Sequence, residues 1–212
     1  MSPPKADMGI KMSRVKICGL SRLEDIIAVN NTLPDYIGFV FAKSRRQVDK
    51  CKASMLKEHL DNRIKAVGVF VNEEVEVVVD LYKDGIIELV QLHGDEDAGY
   101  IARLKDCCNC PVIKAIGISS KLPPLPAAPD YLLFDTLSEQ RGGTGKVFDW
   151  NALKGFAGLP YFLAGGLTIA NVTGAMTLLS PFCVDVSGGV ETDGVKDAEK
   201  IGEFVRLARG VN

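Results

Sequence analysis

A single (β/α)8 barrel is the fold class this sequence predicts, on three observations. Strand-like and helix-like segments alternate along the chain. Most strand candidates are near-continuous apolar runs, as expected of strands covered on both faces. Polar and glycine-rich residues gather at one end of the strands, the end at which such barrels keep their sites. The 212 residues are 47% hydrophobic and 25% charged, which suits one domain with a sizeable core.

The first residues, MSPPKADMGIKMS, lack the apolar centre of a signal peptide, so 1–13 read as a flexible extension and 14–212 as the barrel. The eight strand candidates are VKICG (15–19), YIGFVF (36–41), KAVGVFV (65–71), IELVQLHG (87–94), PVIKAIGI (111–118), YLLFDT (131–136), PYFLAGGL (160–167) and FCVDVSGG (182–189). Between most of them lie helical patterns. Ser21 and Glu24 have capping-box spacing ahead of Leu23, Ile26 and Ile27. Val75, Val78, Val79 and Tyr82 form an i, i+3, i+4, i+7 stripe. Ile169, Val172, Met176 and Leu179 form another, and Ile201, Phe204, Val205 and Ala208 a last one. The fifth connection, SSKLPPLPAAPD, carries Pro123, Pro124, Pro126 and Pro129 and is expected to be a loop instead of a helix. An open doubly wound sheet is the rival fold. No GxGxxG follows the first strand, and eight repeats fit a closed barrel better.

The net charge of −2 points to neither nucleic acid nor an anionic membrane as partner. The apolar stretches are strand-sized and interrupted by charge, so no membrane span is expected. Without an export signal, the six cysteines are expected to be reduced thiols in a cytoplasmic protein. Cys107 and Cys110 have CxxC spacing, but there is no second such pair, and His59 and His93 lie far off in sequence. They read as small residues where a helix meets the next strand, and no metal is expected.

The strand ends hold the candidate chemistry. Cys18 ends the first strand, and Arg45 and Arg46 follow the second. His93 follows the fourth strand, where it either bonds a ligand or holds its loop. Asp135 ends the sixth, beside the glycine-rich RGGTGKVFDW; a partly buried carboxyl there is suited to general-acid work. Gly165 and Gly166 in AGGL, with Ser187, Gly188 and Gly189 in DVSGGVE, form a candidate phosphate cradle, since glycine lets backbone N–H groups approach an anion. Asp185 in the same segment, with Arg46 and His93, is expected to contact substrate.

Taken together, VKICGL, GFVF, GVFVN, QLHGDE, FDT with GGTGKVFDW, LAGGL and VDVSGGVE resemble the phosphoribosylanthranilate isomerase family of tryptophan biosynthesis, from about Val15 to the C-terminus. The resemblance implies a cofactor-free (β/α)8 barrel, monomer or homodimer, acting on a small phosphorylated substrate. The reaction implied is the Amadori rearrangement of N-(5-phosphoribosyl)anthranilate to 1-(2-carboxyphenylamino)-1-deoxyribulose 5-phosphate. Cys18 matches the general base, Asp135 the general acid, Arg46 the arginine that holds the anthranilate carboxylate, and the two glycine segments the phosphate loops. FAKSRR is one residue shorter than the commoner family form. A sister family of the histidine pathway carries out the same chemistry with an aspartate where Cys18 stands, and ranks second. A barrel that only binds a phosphorylated metabolite is disfavoured by the presence of both Cys18 and Asp135.

Overall fold

The computed structural model describes residues 14–119, 121–126, 128–137 and 147–210. The expected extension at 1–13 and the glycines of RGGTGK lie outside these residues. Eight parallel strands close into a barrel: β1 (Arg14–Cys18), β2 (Tyr36–Val40), β3 (Lys65–Phe70), β4 (Leu89–Leu92), β5 (Val112–Ile118), β6 (Tyr131–Thr136), β7 (Tyr161–Leu163) and β8 (Cys183–Val186), with β8 pairing back on β1. The helices are α1 (Leu23–Thr32), α2 (Lys50–Glu58), α3 (Val75–Lys83), α4 (Ala98–Cys107), α5 (Val172–Leu179) and α6 (Ala198–Ala208). Among the described residues no helix joins β5 to β6, in line with the proline run. Among the described residues, the β6–β7 connection contributes a short 3-10 turn, Trp150–Leu153.

Side chains alternate across each strand, so the barrel has two cores. Outward residues such as Ile17, Phe39, Phe70, Leu92 and Phe134 pack with the helices. Inward residues Tyr36, Val67, Leu89, Ile113, Leu133, Phe162 and Cys183 fill the barrel. Phe162 anchors this inner floor, with ring centroids 5.5 Å from Tyr36 and 5.8 Å from Tyr131. Moving two residues towards the C-terminal end of each inward row replaces oil with chemistry. Leu89 gives way to Gln91 and His93, Leu133 to Asp135, and Cys183 to Asp185 and Ser187.

Lys16 lies on the same inward row as Cys18 and is fully buried. Its ammonium donates to Asp185 Oδ2 at 2.7 Å and to Gln91 Oε1 at 2.8 Å. Burial acts to strip its proton, but the Asp185 carboxylate outweighs that and raises the ammonium above its ordinary value.

Three details differ from the sequence expectation. Helix α1 is capped one residue later: Arg22 is the N-cap and Asp25, not Glu24, accepts from the backbone N–H groups of Ser21 and Arg22, at 2.9 and 3.1 Å. The rotation leaves Leu23 and Ile27 largely exposed, and Ile26, Ala28 and Val29 face the core. Helix α5 starts at Val172, so Ile169 belongs to the preceding turn. A short hairpin, β9 (Glu191–Thr192) with β10 (Val195–Lys196), follows β8 and carries no strand-length apolar signal. Cys107, Cys108 and Cys110 sit where α4 runs into β5, and burial pushes the Cys110 thiol up to about 12.

Removing one member of a buried ion pair strands the other charge, at a cost of about 3–5 kcal/mol. Lys16→Met should therefore lower the unfolding free energy in urea by about that much, and Lys16→Met combined with Asp185→Leu should recover most of it. A loss under about 1 kcal/mol for the single variant would mean the pair does not organise the barrel interior.

Candidate active site

A cavity of about 830 Å³ opens at the C-terminal end of the barrel, within the size range of small-molecule sites. Its wall includes Cys18, Arg46, His93, Asp135, Gly165, Gly166, Asp185, Ser187, Gly188 and Gly189, so every candidate site residue meets in one space. The common origin is parity: each side chain is the last inward residue of its strand, or lies in the loop that follows.

Cys18 ends β1. Its carbonyl accepts from Ser187 Oγ at 2.9 Å, which ties β1 to the loop after β8. Gly38 is its register partner on β2, and a Cβ there would lie 2.6 Å from Cys18 Sγ. Only glycine leaves the thiol its position. Burial raises the Cys18 thiol above its ordinary value, while the Lys16 ammonium beneath it pulls in the opposite direction.

A chain of hydrogen bonds orients the groups opposite. Lys16 can only donate, so Gln91 presents Oε1 to it and its amide nitrogen to His93 Nδ1, 3.0 Å away. That network assigns the acceptor role to Nδ1 and the ring proton to Nε2. Nε2 stands 3.5 Å from Asp135 Oδ2. The other carboxylate oxygen, Asp135 Oδ1, accepts from the Thr136 N–H at 2.7 Å. Asp185 turns one oxygen to Lys16, and its Oδ1 is buried without a hydrogen-bond partner among the described residues. Burial raises the Asp185 carboxyl, and Lys16 opposes the rise.

The glycine segments after β7 and β8 make a second wall. Gly165 and Gly166 have φ of +80° and +73°, the left-handed region. A Cβ on Gly189 would sit 1.9 Å from the Leu167 carbonyl, so the two loops touch backbone to backbone. Asn171 locks the first of them, accepting from Thr168 N at 2.8 Å and donating to Gly166 O at 3.0 Å.

Arg45 and Arg46 both reach the cavity rim, and Arg46 is the more buried. Both pair with Glu191 of β9, as does Lys196 of β10. Burial would raise the Glu191 carboxyl, but Arg46 and Lys196 outweigh it and hold the group down at about 2. Sequence reasoning missed Lys16, Gln91, Glu191 and Lys196. Lys16 and Gln91 carried a signal: each is a polar residue inside an apolar strand, two positions before a candidate site residue.

Comparison with known proteins places the chain in a family. The profile of N-(5′-phosphoribosyl)anthranilate (PRA) isomerase matches residues 15–207. The N-(5′-phosphoribosyl)anthranilate isomerase of Endomicrobium trichonymphae is 48% identical over 201 residues, covering 94% of this chain and 100% of the relative. The crystal structure of phosphoribosyl anthranilate isomerase from Thermotoga maritima superposes with a TM-score of 0.82 at 36% identity, covering 94% of this chain and 100% of that one. A second isomerase structure, in complex with reduced 1-(o-carboxyphenylamino)-1-deoxyribulose 5-phosphate, has a TM-score of 0.79 at 33% identity, with the same coverage.

The raised Cys18 thiol sets a pH dependence. A thiol whose value is raised keeps its proton at neutral pH and ionises only as the solution becomes more alkaline. Alkylation of Cys18 by iodoacetamide, followed peptide by peptide, should still be accelerating above pH of about 8.5, where a free thiol is half ionised. A rate that levels off below that pH would show a thiolate already present in the free protein.

Proposed function

The chain belongs to the N-(5′-phosphoribosyl)anthranilate isomerase family, and from that premise we propose which of its residues carry the reaction. The protein is an isomerase of tryptophan biosynthesis that converts N-(5′-phosphoribosyl)anthranilate into 1-(2-carboxyphenylamino)-1-deoxyribulose 5-phosphate. The observation that carries the assignment of roles is that Cys18, Asp135 and both glycine loops line one cavity.

Asp135, in its acid form, donates a proton to the furanose ring oxygen as the C1′–O4′ bond breaks, leaving a protonated Schiff base. Cys18 as thiolate takes the C2′ proton, and the resulting enolamine tautomerises to the ketone. A base at the end of β1 and an acid at the end of β6, lining one cavity, suit this order of steps. Lys16 favours the thiolate electrostatically, and the iminium charge of the intermediate adds to that pull. The network from Lys16 through Gln91 turns the His93 Nε2 proton towards Asp135, which supports a role for His93 in holding the acid. The Oδ1 of Asp185, without a hydrogen-bond partner among the described residues, is suited to the substrate's N–H.

Phosphate falls to the loops of Gly165–Gly166 and Ser187–Gly189; the left-handed backbone of the first and the close approach of Gly189 in the second favour N–H groups over side chains as the lining. Arg46 is assigned the anthranilate carboxylate, which a guanidinium fork matches. None of these roles calls on a cofactor or metal. Among the described residues no helix is long and apolar enough to cross a membrane. With the six cysteines free, we assign the enzyme to the cytoplasm, working alone or as a homodimer.

Phosphoribosylanthranilate is fluorescent, so its enzyme-dependent decay reads the reaction directly. Cys18→Ala should remove nearly all turnover while holding the affinity for a product analogue within about tenfold, because a base acts on the barrier. Asp135→Asn keeps the shape without the proton, and kcat should fall by about 10²–10⁴ with little change in KM. Arg46→Ala should chiefly raise KM, since its contact exists before and during the chemistry. Half the normal rate in Cys18→Ala would return that residue to the packing role. A collapse of kcat in Arg46→Ala, with KM alone raised in Asp135→Asn, would interchange the two assignments.

A further inference from the structure

Glu191 sits at the start of the hairpin after β8 with a nearly buried carboxylate, and three cations converge on it. Arg46 donates from Nε at 2.7 Å and from Nη2 at 3.0 Å. Arg45 donates at 2.5 Å and Lys196 at 2.6 Å. Three positive charges against one negative leave this rim cationic. The Arg46 arm runs across glycine backbone: its Cδ lies 2.4 Å from where a Cβ on Gly19 would stand, and its Nη2 lies 3.7 Å from the same point on Gly188.

We propose that Glu191 is a positioning residue that grips Arg46 by the side-on edge of its guanidinium, so that the end-on edge is presented to the carboxylate of the aryl substrate. A guanidinium carries five donor hydrogens in a rigid plane. Glu191 takes the Nε hydrogen and one Nη2 hydrogen. The second Nη2 hydrogen and its Nη1 neighbour form a fork of the spacing that binds a second carboxylate in two parallel bonds. Without Glu191, a long side chain lying over glycines would lose the contact that fixes its rotation. The same cluster reaches the thiol strand: Lys196 donates to Ser187 O at 3.0 Å, and Ser187 Oγ donates to Cys18 O at 2.9 Å. The hairpin thus sets the carboxylate subsite relative to the end of β1. This inference rests on the assignment of Arg46 to the carboxylate.

The test compares two ligands. One is reduced 1-(o-carboxyphenylamino)-1-deoxyribulose 5-phosphate, and the other is its anilino counterpart, which lacks the ring carboxylate. Dissociation constants are measured for the native enzyme, Glu191→Gln, Glu191→Asp and Arg46→Ala. Glu191→Gln should weaken the carboxylate ligand at least about tenfold and the anilino ligand less than about twofold, with KM raised and kcat nearly kept. Glu191→Asp, which keeps the charge on a shorter arm, should lose less than Glu191→Gln on the carboxylate ligand. Equal losses on both ligands would reduce Glu191 to a fastening of the hairpin and overturn the proposal. Tighter binding of the carboxylate ligand would overturn it too, by showing that Glu191 competes with the ligand for Arg46. The Arg46→Ala enzyme separates the premises. A carboxylate-specific loss there, with none in Glu191→Gln, sinks only the role of Glu191; no such loss in Arg46→Ala sinks the assignment of Arg46 itself.

Discussion

A lysine ammonium held inside a barrel must be answered by acceptors, and Lys16 is such a group. Moving a charge out of water costs several kcal/mol unless it is paired and hydrogen-bonded. Here the answer comes from β8 through Asp185 and from β4 through Gln91. Strands on different sides of the barrel are thereby tied to one point beneath the cavity. The constraint then spreads outward. Gln91 is oriented by Lys16, His93 by Gln91, and the ring of His93 faces Asp135 on β6. Four strands of the site take their side-chain directions from one buried charge.

The geometry above that charge follows from strand parity and from glycine. Inward rows are apolar at the floor and reactive at the top, so the same alternation that packs Phe162 and Leu133 also presents Asp135 and Asp185. Where two backbones or a thiol need room, glycine provides it: Gly38 beside Cys18 Sγ and Gly189 against the Leu167 carbonyl. These positions tolerate no Cβ because the atoms they would meet belong to backbone or to the Cys18 thiol.

Charge is divided between two places. Inside the barrel, Lys16 and Asp185 nearly cancel, with the thiol of Cys18 close by and raised by burial. At the rim, Glu191 is outnumbered by Arg45, Arg46 and Lys196, which suits a substrate with a phosphate at one end and a carboxylate at the other. The cavity thus offers different chemistry at its two sides: glycine backbone at the loops of β7 and β8, and guanidinium at the loop after β2.

The barrel, its eight strands, the fifth connection without a helix among the described residues and many of the residues around the cavity were legible in the sequence because they are local signals. Apolar runs mark strands buried on both faces, prolines bar a helix, and glycine pairs mark loops at strand ends. Cys18, Asp135 and Arg46 stood out through the family motifs they sit in. The phase of α1 was misread by one residue, because Ser21–Glu24 and Arg22–Asp25 offer competing starts and only packing chooses which face is buried. Lys16 and Gln91 were hidden in strands that read as apolar, and Glu191 in a motif read for its glycines. Their importance lies in who they meet: Asp185 is 169 residues from Lys16, and Glu191 is 145 from Arg46. Pairings over such distances are set by barrel closure, which brings β8 beside β1 and the last hairpin beside the loop after β2. No local pattern in the chain encodes them.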